Sequence, residues 1–144
     1  MRNSLKTIII VLMILIVNSK LQSQTAELTV SVIGIEVLKG KVMIALFNSK
    51  ETYFNYDEIS AGAEVPIDSS SVTHTFKGLP PGTYAVTIYQ DVDNNGEMNR
   101  SWIGFPKEPY AFSNNFRSMI RPASFKDASF LLEKDLRIEI SMVY

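Results

Sequence analysis

Asp91, Asp93, Asn95 and Gly96 stand at the spacing D-x-D-x-N-G. That is the first half of a calcium loop of the EF-hand type, in which oxygens at alternate positions converge while glycine permits a sharp turn. The main-chain carbonyl of Glu97 falls at the seventh position and the Asn99 amide oxygen at the ninth, but the twelfth, where a bidentate Glu belongs, is Trp102. Two carboxylates, two amides and a carbonyl make a donor set for calcium at the roughly millimolar affinity of extracellular modules. The competing reading is a tight surface turn whose Asp and Asn side chains bond their own backbone, and the spacing alone leaves both open. As paired carboxylates, Asp91 and Asp93 suit ion coordination better than the separated acid and base of a glycosidase.

Just downstream, Trp102, Phe105, Tyr110, Phe112 and Phe116 crowd together with Gly104, Pro106 and Pro109 between them. Each ring removes about 150–250 Å² from water when buried, so these residues either fix the segment to the rest of the fold or form a face for a sugar or apolar ligand. Trp102, Phe105, Tyr110 and Phe112 are the candidate ligand contacts. Lys107, Glu108, Asn114, Asn115 and Arg117 add polar groups that suit a binding site and a solvated loop equally. His74 is the only histidine. It shares a strand face with Val72 and Phe76, which points to a core or rim position, and its being alone excludes the usual catalytic zinc triads. No nucleophile-elbow motif accompanies the serines, and no glycine-rich loop leads into a helix to cradle phosphate. A small secreted hydrolase with its site under residues 102–116 is the alternative function; it would need a polar group of perturbed pKa inside a real cavity.

Strands must position these groups. Glu27–Ile33 alternates, with Leu28, Val30 and Val32 on one face and Thr29 and Ser31 on the other, the pattern of a half-buried strand. Lys41–Phe47 is apolar and β-branched, as a strand buried on both faces should be, and the turn at Lys39–Gly40 predicts that these two strands form a hairpin. Residues 48–71 lose periodicity apart from a short strand at 64–67. The segment VTHTF, residues 72–76, reads as a strand that ends at Lys77–Gly78, followed by a short hairpin through Pro80, Pro81 and Gly82 into Thr83–Gln90. The latter carries bulk on both faces and is expected to be central. Residues 91–127 show no period, and so long an irregular excursion usually indicates function or a packed loop. Strands at 129–133 and 136–144 close the chain. The expected fold is all-β, an antiparallel β-sandwich of about seven strands, immunoglobulin-like or transthyretin-like, with one long irregular loop.

Arg2 and Lys6, the apolar run 7–17 and the polar residues 18–24 form the pattern of a secretory signal peptide, with cleavage expected after Ser23. The run is too short for a hydrocarbon core of about 30 Å, so no retained membrane span is expected. The remainder, residues 24–144, suffices for a single β-sandwich domain. Losing Arg2, Lys6 and Lys20 leaves 11 basic against 15 acidic residues, a formal charge of −4, which argues against a nucleic-acid partner. Without cysteine, stability must come from packing or a bound ion. Export to the periplasm or outside the cell is the expected localisation.

The blocks KVMIALFNS (41–49), GLPPGTYAV (78–86), DVDNNGEMN (91–99), IGFPKEPYAFSNN (103–115) and ASF (123–125) together resemble the secreted bacterial proteins grouped as domain of unknown function 2141. The resemblance implies a single β-sandwich behind a signal peptide. Within it, GLPPGTYAV is similar to the corresponding segment of transthyretin-like and carboxypeptidase-regulatory-like domains. The family often carries Asp where this chain has Asn99. Hydroxyisourate hydrolases of the transthyretin-like fold end in Tyr-Arg-Gly-Ser, whereas this chain ends Ser141, Met142, Val143, Tyr144, so their activity is not carried over. The expected function is an exported, non-enzymatic binding or structural envelope module with an unknown ligand or envelope partner, stabilised by calcium through Asp91, Asp93, Asn95, Glu97 and Asn99.

Overall fold

The computed structural model describes residues 25–144; the expected leader, residues 1–23, lies outside them. Among the described residues no helix is long and apolar enough to cross a membrane. Eight strands of the described residues form two facing sheets: β1 (Ala26–Ile33), β2 (Lys41–Phe47), β3 (Ala61–Pro66), β4 (Ser71–Leu79), β5 (Gly82–Asp91), β6 (Tyr110–Phe112), β7 (Ser129–Leu132) and β8 (Leu136–Ser141). The smaller sheet has the order β4-β1-β8; the larger runs β3-β2-β5-β6, with β7 also pairing β5. The chain is therefore an all-β sandwich, as its alternating segments predict.

Alternation explains the core. Leu28, Val30 and Val32 of β1 meet Val42, Ile44 and Leu46 of β2 and Val86 and Ile88 of β5, all buried between the sheets, with Ile140 of β8 closing the layer. On the opposite face of β1, Thr29 lies 3.0 Å from the Thr75 hydroxyl and Ser31 3.4 Å from that of Thr73, the polar cross-strand pairing of a solvent-facing ladder. His74 pairs with Val30 in register and stacks edge-on against Phe76 at 4.6 Å. It is half-buried at the rim of the smaller sheet.

Three topological expectations are corrected. First, β1 and β2 do not form a hairpin: β4 and β8 occupy both edges of β1, and residues 34–40 carry the chain to the other sheet. Two half-buried strands with a turn between them satisfy their apolar faces as well across a sandwich as side by side, so alternation cannot distinguish the two. Second, β4 and β5 are not a hairpin either. Pro80 and Pro81 turn the corner between sheets, and the Tyr84 hydroxyl donates to the Pro80 carbonyl at 2.8 Å, tying that corner to the core. Third, pairing is not wholly antiparallel, since β8 runs parallel to β1 from Leu28↔Leu136 to Ile33↔Ser141.

The excursion from 91 to 127 is also less irregular than its sequence. It contains β6 and ends in a short helix, α1 (Phe125–Ala128), begun by a capping box between Ser124 and Asp127. Three consecutive side chains fix it in place. Ser113, fully buried, accepts from the Val86 N–H at 2.9 Å and donates to the Ala128 carbonyl. Asn114, at φ 61° in the left-handed region, donates to the carbonyls of Asp127 and Ser129. Asn115 donates to the Glu139 carbonyl and accepts from the Ser141 N–H, acting as a substitute strand partner on the edge of β8. Asn114 and Asn115 are thus used by the fold.

Candidate functional site

One end of β5 opens into the acidic loop. Asp91, the last residue of the strand, is completely buried. Its carboxylate accepts the Asn95 N–H at 3.0 Å and the Gly96 N–H at 2.9 Å, while the Lys41 ammonium stands 3.9 Å away. Asp93 is exposed and accepts from the side-chain amides of Asn95 and Asn99 at 3.2 and 2.9 Å; the Asn99 bond, and after it the Asn95 backbone N–H at 3.2 Å, hold its carboxyl below its usual value. The Asn95 side-chain oxygen in turn accepts the Glu97 N–H at 2.8 Å. Glu97 itself is exposed. Gly40 presses on the base of the loop: at φ 76°, a Cβ there would fall 1.9 Å from the Asp91 carbonyl oxygen, so only glycine fits.

Glu108, which the sequence offers only as a polar neighbour of the aromatic segment, belongs to the acidic loop's cluster. Buried beside Asp91, its carboxylate accepts the Val92 and Asn99 N–H groups, both at 2.9 Å, and so clamps the two ends of the loop. Asp91, Asp93 and Glu108 each present an oxygen within 4.8 Å of the others. Hydrogen bonds bring together Asp91, Asp93, Asn95 and Asn99 of the sequence-predicted set; Glu97, expected to offer its main-chain carbonyl, is joined to them through its N–H on the Asn95 side chain, and Glu108 adds a third carboxylate. In chemistry the set fits a hard cation: each carboxylate oxygen has more than one acceptor site, and three carboxylates with two amides match calcium's preference for oxygen. The same groups already satisfy backbone donors, so the loop is closed without an ion.

The aromatic segment makes a second feature. The outer face of β2, β5 and β6, away from the sandwich core, is a trough with a cavity of about 420 Å³, continuous through Tyr56, Thr87, Met98 and Arg100 with a second hollow of about 610 Å³. Its floor is Thr87, Tyr110 and Phe112. One wall is Phe54 and Tyr56, the other the 98–106 loop, and residues 118–122 overhang it. Phe54 sits at φ 69°, a costly conformation for a bulky residue, braced by Tyr53 at 4.3 Å and Phe112 at 6.1 Å. The Tyr56 hydroxyl lies 3.3 Å from that of Thr87. Behind this wall Phe47, Tyr53 and Phe125 stack edge to face, a small second core that sets the wall's position.

Of the expected ligand contacts, Phe105, Tyr110 and Phe112 line the trough, whereas Trp102 projects away from it and is almost wholly exposed. Phe116 stacks under the Arg121 guanidinium at 5.0 Å. Glu64 and Glu97 line the second hollow, but among the described residues no imidazole or carboxylate lines the 420 Å³ cavity beside residues 102–106; His74 is on the other sheet, and Ser118 at the rim accepts the Ile120 N–H. That lining can hold an apolar or aromatic molecule, but it lacks a base to activate a nucleophile.

A family model described as "Uncharacterized protein conserved in bacteria (DUF2141)" matches residues 30–139. The chain belongs to that family. No curated protein and no solved structure matches it. The blocks of resemblance to DUF2141 each have a place in the structure. KVMIALF is β2, GLPPGTYAV is the corner into β5, DVDNNGEMN is the acidic loop, and IGFPKEPYAFSNN supplies Glu108, the trough floor and the 113–115 clamp.

Proposed function

We propose that this DUF2141 protein is an exported binding module whose trough on the outer face of the larger sheet holds an elongated apolar or aromatic ligand, with calcium at Asp91, Asp93, Asn95, Asn99 and Glu108 stiffening one wall. The carrying observation is the cavity itself: about 420 Å³, within the range of small-molecule sites, floored by strands and lined mainly by apolar side chains. A rigid floor with loop walls is the usual division of labour in binding proteins. The signal-peptide pattern supports export. The hydrolase reading, which puts its site under residues 102–116, is less favoured because none of the described residues lining the 420 Å³ cavity there is a His, Asp or Glu.

The test is fluorescence titration with anilinonaphthalene sulfonate as an apolar probe. Tyr56→Ala, which removes a ring shared by both hollows, should weaken binding about tenfold, the loss of one well-buried aromatic contact. The control, Val37→Ser with Leu38→Ser, alters exposed apolar residues outside the trough lining and should leave it unchanged. Equal affinity in Tyr56→Ala would remove the trough from the account.

A further inference from the structure

The two loops beside the trough also carry large apolar side chains left open to solvent: Ile103, Phe105, Met119 and Ile120 border the cavity, and Trp102 stands outside its lining. Trp102 and Met119 are each 96% exposed and Ile120 is 89% exposed. Ile103 and Phe105 are more than half exposed beside them. The two loops line one cavity, so these side chains belong to one surface region. Large apolar groups left in water at this density mark an interaction surface.

Charge narrows the partner. Residues 100–107 and 117–122 contain Arg100, Lys107, Arg117 and Arg121 and no acid, while the rest of residues 24–144 holds 7 basic and 15 acidic residues. Arg121 is paired with Asp127 at 2.7 Å; among the described residues no carboxylate pairs with Arg100, Lys107 or Arg117. Two basic segments carrying exposed Trp, Met and Ile on an otherwise acidic protein, with one of their four cations held by Asp127, are complementary to an anionic lipid surface. There the apolar tips enter the acyl boundary, the indole sits at headgroup depth, and the basic groups meet phosphates. A soluble protein partner would match the apolar tips but would not by itself require this segregation of charge. We infer that the protein docks peripherally on anionic membranes through the 100–107 and 117–122 loops. Ile103, Phe105, Met119 and Ile120 are shared with the trough lining, whereas Trp102 is not, so Trp102 separates docking on a membrane from binding in the trough.

Trp102, the only tryptophan, reports directly. Vesicles containing phosphatidylglycerol should shift its emission to the blue and allow quenching by brominated acyl chains; phosphatidylcholine vesicles should do neither, and added salt should weaken the effect. Trp102→Ser, at an almost wholly exposed position that does not line the cavity, should weaken sedimentation with phosphatidylglycerol vesicles about tenfold or more while leaving the circular dichroism spectrum and probe binding in the trough intact; Met119→Ser with Ile120→Ser, both exposed, should weaken vesicle binding likewise with the circular dichroism spectrum unchanged. The proposal is overturned by unchanged Trp102 emission in anionic vesicles with the fold intact, or by undiminished vesicle binding of the double variant. It is also overturned by emission already blue-shifted without lipid in a protein that sediments as an oligomer, which would assign the surface to a second copy of the chain.

Discussion

Glu108 is the group on which the acidic loop turns. It binds the loop's first and last N–H groups from a position with little access to water, and glutamine in its place can accept from one while setting an amide N–H₂ against the other. Glu108→Gln should therefore destabilise the protein by about 1–3 kcal/mol, the cost of an unsatisfied buried donor. If calcium joins the cluster, millimolar calcium should raise the melting temperature of the unaltered protein and do so far less in Glu108→Gln; no rise in the unaltered protein would remove the ion. Tyr89 gives a second readout, because its hydroxyl donates to the Gly96 carbonyl at 3.0 Å. Burial, then the nearby Asp91 and Glu108 charges, push its phenol up from 10 to about 12. A folded state that holds the proton more tightly than the unfolded chain is stabilised fully below pH 10 and loses that contribution as pH rises through about 12. Ring NMR shifts of Tyr89 should titrate near the upper value, and titration near 10 would contradict the packing. Little of this was legible in advance. The D-x-D-x-N-G spacing located the loop, but Glu108 comes from a separate stretch and only the folded excursion brings it alongside Asp91.

Among the elements, β5 carries most of the organisation. Its inner face joins the core, one edge pairs β2 from Ala85 to Asp91, and the other is divided between β7 at Gly82–Ala85 and β6 at Thr87–Tyr89. Val86, in the gap, gives its N–H to the Ser113 hydroxyl. Ser113→Ala should leave that buried N–H without a partner and lower stability by about 1–3 kcal/mol, with faster hydrogen exchange at Val86 locating the defect; unchanged exchange there would show that the clamp is redundant. Alternation made β1, β5 and β8 readable, and an unbroken apolar run did the same for β2. β3 was only half visible, because Ala61, Gly62 and Ala63 contribute little contrast between faces. β6, three residues long, offers no period at all, and its place is set by the partner strand and the Ser113–Asn115 contacts.

At the scale of the molecule, the sandwich uses one face of the larger sheet twice. The inner side makes the main core, and the outer side carries a smaller aromatic core beside an open trough. Class and composition indicated two facing sheets because every alternating segment needs a partner for its apolar face. They could not indicate which strands cross between sheets, since pairing across the core and pairing along an edge bury similar surface. The most direct test of a binding face on the outer side of the larger sheet is an amide NMR titration with an elongated apolar ligand such as a soluble alkyl detergent below micelle concentration. Shifts should concentrate at Tyr56, Thr87–Tyr89 and residues 98–106 and leave Thr29, Thr73 and Thr75 on the smaller sheet unmoved. Shifts centred on those threonines, or none at all, would contradict it.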